Sequence, residues 1–230
     1  MQTTKQQLLV LLKRTGSVTV EEAAGALAVA SMTARQHLVG LERDGFIQVD
    51  RVKRPTGRPH YLYTLTSKAE EMFPRRYDLL AQVLLDEAAS LSPDEIEGLS
   101  PQDKRLMLIR RAADRLAEQY RFQVEGRTLP DRIAAVTNVL QLIGGFAEWC
   151  ECDSGFEIRD YNCVFSRLVA VTSPSATADK PARSGECEWH VRLLTQLLRW
   201  PVRHELVVDG RVECCRYIVS RQEEGTIANA

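Results

Sequence analysis

The residues of this chain best suited to chemistry are its six cysteines. Cys150, Cys152, Cys163, Cys187, Cys214 and Cys215 all fall in the last 81 residues, and none occurs before position 150. A single free cysteine is as readily a small buried hydrophobe as a reactive group. As a set, these six occupy sequence positions that read as loops, a helix start and a strand, which are positions able to converge. No two form a CxxC pair, so the zinc-ribbon and thioredoxin-like patterns are absent. Widely and irregularly spaced thiolates suit a cluster held between several elements better than a compact finger. Spacing alone does not choose between iron–sulfur and zinc. The histidines, His37, His60, His190 and His204, are scattered. They suggest no Ser–His–Asp set, and no glycine-rich phosphate loop accompanies them. An enzyme is therefore not expected, and a thiol-dependent oxidoreductase is the least favoured reading.

The elements that position these thiols begin where the composition changes, at Phe146. Residues 146–149 and 155–158 read as the two strands of a hairpin, and 163–171 as a short helix. The Ser/Thr/Ala/Pro-rich stretch 172–185 reads as a loop. Cys187 is expected to open an amphipathic helix through Trp189, Leu193, Leu194, Leu197 and Leu198, which Pro201 stops. Asp209-Gly210 is a hairpin signal between two apolar runs, with Cys214 and Cys215 on the second. Before this region, residues 76–145 carry helical stripes: Tyr77, Leu80, Ala81, Leu84, Leu85 and Ala88; then Leu106, Ile109, Ala113, Leu116 and Tyr120; then Ile133, Val136, Leu140 and Ile143. Stripes of this kind are core or dimer seam rather than cofactor boxes.

The first 75 residues have a different character. Leu8, Leu9, Leu11 and Leu12 give an apolar helical face that Gly16 ends. Thr19, followed by Glu21 and Glu22, reads as the N-cap of a short Ala-rich second helix. Ser31 reads as the N-cap of a third helix, with Met32, Ala34, Leu38 and Leu41 expected on its inner face. Ser31, Thr33, Arg35, Gln36 and His37 supply the side-chain types that contact base edges and phosphates at the start of a recognition helix. After Gly45 the period shortens to two. Phe46, Gln48, Asp50 and Val52 are read along one strand, with Tyr61, Tyr63 and Leu65 on its partner. The turn between them holds Lys53, Arg54 and Arg58, suited to phosphate or the minor groove. Helix, turn, helix and basic wing in this order form a winged helix-turn-helix that binds double-stranded DNA. A symmetric homodimer on an inverted repeat is the matching expectation.

Composition is consistent with this reading. The chain carries a net charge of −1 over 230 residues, divided into a net +4 for residues 1–80 and −5 for the rest. No apolar run approaches the roughly 18 residues of a membrane helix. The amphipathic N-terminus leads straight into the first helix and does not read as a signal peptide. A cytosolic chain with six cysteines is expected to use them for metal or redox chemistry rather than disulfides. The fold class is thus α+β: a winged helix-turn-helix over 1–75, a helical linker and dimerisation region over 76–145, a cysteine-containing α+β sensor domain over 146–220, and a flexible tail over 221–230.

Two sets of motifs carry a family resemblance. In the first half these are Thr33-Ala34-Arg35-Gln36-His37-Leu38, Leu41-Glu42-Arg43-Asp44-Gly45, Gly57-Arg58-Pro59 and Phe73-Pro74-Arg75-Arg76-Tyr77. In the second half they are Ala147-Glu148-Trp149, Tyr161-Asn162-Cys163, Cys187 with its amphipathic helix, and Asp209-Gly210 leading to Cys215-Arg216-Tyr217. With these the chain resembles the SufR-type regulators, winged-helix repressors of iron–sulfur cluster assembly genes within the ArsR-like/DeoR-like superfamily. The resemblance implies an iron–sulfur cluster, of four or two irons, held by Cys163, Cys187 and Cys215. For the fourth ligand Cys150 ranks first. Cys152, Glu186, His190 and Asp160 remain as options, and Cys214 reads as a buried strand residue. The chain departs from the family in its 172–185 connection, which is about ten residues longer. The alternative reading keeps the regulator but has it sense zinc or thiol redox state without a cluster.

Overall fold

The computed structural model describes residues 3–52, 60–73, 75–126, 128–164, 185–209 and 212–221. They divide into two compact units, Met1–Pro74 with Val207–Glu213, and Arg75–Leu206 with Cys214–Ala230.

The first unit is built from α1 (Thr4–Thr15), α2 (Val20–Leu27), α3 (Ser31–Arg43), β1 (Ile47–Val52), β2 (His60–Leu65) and the one-turn α4 (Ser67–Glu70). Threonines cap α1, α2 and α4. Thr3 and Thr19 each accept from the third backbone N–H of their helix, while Gln6 and Glu22 reach back to the caps. Gly16 ends α1 at φ 72°, and Ala28 ends α2 in the left-handed conformation. The core is Leu8, Leu12, Leu38 and Leu41 around Ala23 and Ala34, whose small side chains let α2 and α3 approach. Each such leucine contributes about 1.5–3 kcal/mol by leaving water.

Three sequence expectations change here. Ser31 is the first residue of α3, and the N-cap is Ala30, which makes no side-chain cap. Met32 does not join the core and is 67% exposed. The inward strand residues are Ile47, Val49, Tyr63 and Leu65, in register Ile47 with Leu65 and Val49 with Tyr63. The expected Phe46–Gln48–Asp50 phase is therefore off by one. Tyr63 also bridges to Val18, so the segment before α2 fixes which face turns inward.

The second unit contains α5 (Tyr77–Ala89), α6 (Pro93–Ile96), α7 (Pro101–Val124), α8 (Leu129–Leu142), β3 (Ala147–Cys152), β4 (Gly155–Asp160), α9 (Gly185–Leu198) and, apart from Val207–Glu213, β5 (Arg203–Asp209) and β6 (Val212–Ser220). Its sheet runs β3-β4-β6-β5, with β4 antiparallel to both neighbours. Ile158 beside Tyr217 and Phe156 beside Val219 form the inner face. Long α7 packs along α9, and α8 packs on β3 and β4. Pro101 and Pro130 stand in the first turns of α7 and α8, where the missing N–H costs nothing.

On α5 the expected single stripe splits in two. Leu80 and Val83 are buried, whereas Tyr77 and Leu85 are exposed. Glu87 shares the buried face, where its carboxylate accepts from Arg111 Nε at 2.8 Å and Arg115 Nη1 at 3.0 Å. The hairpin expected around residues 146–158 forms as β3 and β4. Cys163 and Val164 are not helical, and 165–171 lies outside the described residues.

Candidate DNA-reading helix and cysteine–histidine core

Helix α3 presents one face outward. Met32, Arg35, Gln36 and Val39 are spaced i, i+3, i+4, i+7 and are all exposed, while Ala34, Leu38 and Leu41 are buried on the opposite face. Ser31 is exposed beside them, and Thr33 and His37 are half-buried at the flanks. The far end of α3 is pinned. Asp44 pairs with Lys5 at 2.7 Å, and its carbonyl accepts from Lys68 at 2.8 Å. The hydrogen bond from Lys5 holds the Asp44 carboxyl below its usual range. Lys53, Arg54 and Arg58 of the wing turn lie outside the described residues. Met32 shares this exposed face, and its i, i+3, i+4 relation to Arg35 and Gln36 is the sequence signal that places it there.

The cysteines divide between the two faces of the second unit's sheet. Cys215 on β6 pairs with Asp160 on β4, and both side chains belong to the buried face. Just beyond β4 the chain turns through Tyr161 and Asn162 to Cys163, which is 9% exposed. The turn is fixed from several sides. Asp160 Oδ1 accepts from the Phe146 and Asn162 amides at 2.8 and 3.0 Å. Asn162 Nδ2 donates to the Gly144 carbonyl at 3.0 Å, and Arg75 Nε donates to the Cys163 carbonyl at 3.2 Å. Gly144 has φ +98°, and a Cβ there would meet Arg76 N at 2.3 Å, so only glycine fits.

Against this turn packs α9. His190 is 2% exposed, and its Nδ1 stands 3.9 Å from Cys163 Sγ. Its ring lies edge-on to Trp189, with the ring centroids 4.6 Å apart. Burial pushes the imidazole pKa down, but the Cys163 thiol and the Asp160 carboxyl outweigh that and raise it. Asp160 is 1% exposed, and its Oδ2 has no hydrogen-bond partner. Burial and then Cys163 push its carboxyl up, against His190 and two amides. Tyr217 is pushed well up by burial, with Cys215, Cys163 and Asp160 adding to it, and Cys215 also shares a hydrogen bond with its hydroxyl. Cys163, Cys215, His190 and Asp160 thus surround one buried polar region.

Cys187 lies within α9, which begins two residues earlier at Gly185. Its backbone precedes His190 by three residues, and its side chain lies outside the described residues. Cys150 pairs with Glu157 on the opposite sheet face. The structure therefore does not bring it to Cys163 and Cys215, because the strand pleat turns alternate residues away from each other. Cys214, adjacent to Cys215, is buried on that outer face, where burial raises its thiol pKa. The outer face is otherwise charged, with Arg159 bound to Glu157 and Arg216 to Glu205. Among the described residues no group of three or more His, Cys, Asp or Glu is arranged to hold a single metal ion. No helix among them is long and apolar enough to cross a membrane.

Residues 5–51 match the DeoR-like helix-turn-helix domain. No curated protein sequence matches the chain. Among solved structures, it is similar to Bacillus subtilis PadR in complex with operator DNA, at 17% identity and a TM-score of 0.28, over 60% of this chain and 90% of that one. A likeness at that level carries no weight beside the domain match. The matched residues cover α1 to α3 and nearly all of β1, so this segment is the helix-turn-helix domain of a DNA-binding transcriptional regulator.

Proposed function

We propose that the chain is a homodimeric repressor of iron–sulfur cluster assembly genes. In this reading it binds an inverted-repeat operator with an affinity set by a bound iron–sulfur cluster. The observation that carries the sensing half is the meeting of Cys163 and Cys215, from a turn and a strand, in one buried region faced by His190. Thiolates are the protein ligands such clusters prefer, and a site assembled from separate elements ties them together when filled. A cluster contains several irons, so its ligands stand farther apart than those of one ion.

Cys163, Cys187 and Cys215 would hold the cluster, which supplies a centre sensitive to iron supply and oxidation. The Asp160–Val164 turn positions Cys163 through its amide and carbonyl bonds, and the apolar shell of Trp189, Leu193 and Tyr217 excludes water. On DNA, one α3 helix enters the major groove of each half-site, with Arg35 and Gln36 toward base edges. The wing residues Lys53, Arg54 and Arg58 contact the backbone.

The test is purification of the full chain without air, followed by an absorption spectrum, iron and sulfide assays, and titration of a selected operator with and without the cluster. A broad band near roughly 400 nm, from thiolate-to-iron charge transfer, is expected. Ser replacements at Cys163, Cys187 and Cys215 should each abolish it and remove the operator's response, while Cys214→Ser does neither. A colourless protein containing zinc, or an operator response that survives all three replacements, refutes the cluster reading.

A further inference from the structure

We infer that Met32 and Val39 read thymine, by packing on the C5 methyl groups that face the major groove; this rests on the placement of α3 in that groove proposed above. In α1 to α4 every other leucine, valine or methionine is buried or half-buried, whereas Met32 is 67% exposed and Val39 51%. A single exposed apolar side chain is ordinary. These two share one stripe with Arg35 and Gln36, at i, i+3, i+4 and i+7, opposite the buried Ala34, Leu38 and Leu41. Met32 stands one turn before the polar pair and Val39 one turn after it. Seven residues of helix rise about 10.5 Å, which is about three base-pair steps. Arg35 and Gln36 suit guanine and adenine edges at the centre of that span. The side chains at its two ends are apolar, and the one apolar group on the major-groove edges of the base pairs is the thymine methyl. A protein partner would also cover apolar side chains. The stripe carries a cation beside them, however, and residues 1–80 are net +4, which matches a polyanion better. Each half-site should therefore hold guanine and adenine flanked on both sides by A·T pairs whose methyls face the helix.

The test uses the full chain and a duplex selected from a random pool. Each thymine in turn is replaced, symmetrically in both half-sites, by deoxyuridine, which lacks the methyl and keeps every hydrogen-bonding group. Competition binding at one salt concentration reads the affinity. Two thymines per half-site should respond, with a loss of roughly threefold to fivefold for each methyl removed. Val39→Ser should cancel the response at one of them and Met32→Ser at the other. Neither replacement should change the salt slope, because neither removes a phosphate contact. Deoxyuridine duplexes that bind as tightly as the thymine duplex overturn the methyl assignment, and so do responses that survive in both serine variants. A selected duplex that still outcompetes scrambled DNA, with that preference lost in Arg35→Ala, would then leave α3 as the reader. A chain that binds selected and scrambled duplexes alike sinks the reading by α3 itself, and the methyl assignment with it.

Discussion

Replacing Leu38 by alanine should melt one unit and leave the other standing. Leu38 is fully buried in α3, on the face opposite Arg35 and Gln36. Leucine-to-alanine changes at such sites cost roughly 2–5 kcal/mol, from lost transfer energy plus the cavity left behind. A unit of this size has a total stability of about 4–11 kcal/mol, so about 3 kcal/mol is a large share of it. At about 4–8 °C per kcal/mol for a small domain, the transition should fall by roughly 12–24 °C. The buried cores of the two units have no residue in common, with Leu38 in one and Leu116, Leu140 and Tyr217 in the other. All three tryptophans, Trp149, Trp189 and Trp200, belong to the second unit. Far-ultraviolet circular dichroism should therefore show an early helix transition moving down in Leu38→Ala. Tryptophan fluorescence should melt where it does in the wild type. A fluorescence transition that falls as far as the helix signal would refute the reasoning, because it would mean that the two cores unfold as one.

Other substitutions test single features. Arg35→Ala should cost about 1–3 kcal/mol of preference for the selected operator over scrambled DNA, read by competition binding; an equal loss on both sequences would make Arg35 a phosphate contact. Glu87, held below its usual range chiefly by the Arg111 hydrogen bond, stabilises the fold above its unfolded value of about 4.3, and that contribution disappears as pH falls through the lower folded value. Glu87→Gln should therefore be less stable than wild type at neutral pH, with the gap closing in acid denaturation below about pH 4. Gly144→Ala should destabilise the second unit by about 1–3 kcal/mol, since its φ is +98° and the new Cβ meets Arg76 N; an unchanged fluorescence melt would count against that close approach.

Much of this architecture was legible because local chemistry and long-range packing agree. The cap at Thr19, the amphipathic helix stopped ahead of Pro201, and the strand–turn–strand before Tyr161 all declare themselves within a few residues. Errors arose where the pattern admitted two phases. Residues 46–49 alternate Phe, Ile, Gln, Val, and only the Tyr63 bridge to distant Val18 fixes which face turns inward. Met32 looks apolar enough for a core, yet the 34–38–41 face was already filled. Glu87 gave no sign of burial, because its partners Arg111 and Arg115 lie a whole helix away in sequence. At the cysteine site, Cys150 ranked first for its spacing from Cys163, which resembles that of some family members; the pleat of β3 pairs it with Glu157, on the sheet face opposite Cys215, a placement that spacing along the chain does not reveal.

The strand order also bears on how the protein behaves at high concentration. Among the described residues β3 and β5 each have a sheet neighbour on one side only, so each offers unpaired backbone groups to another strand. Sheet edges of this kind are templates for aggregation unless charge discourages a second copy. Here β3 carries Glu148 and Glu151, and β5 carries Arg203 and Glu205. With Asp209 also on β5, both edges are net acidic and would repel each other, but Glu151 is bound to Arg221 and Glu205 to Arg216 of the same chain. The charges that guard the edges are thereby neutralised at home. Exchanging Arg221 or Arg216 for a neutral residue would release a carboxylate and change the self-association of the folded protein, without touching a cysteine or α3.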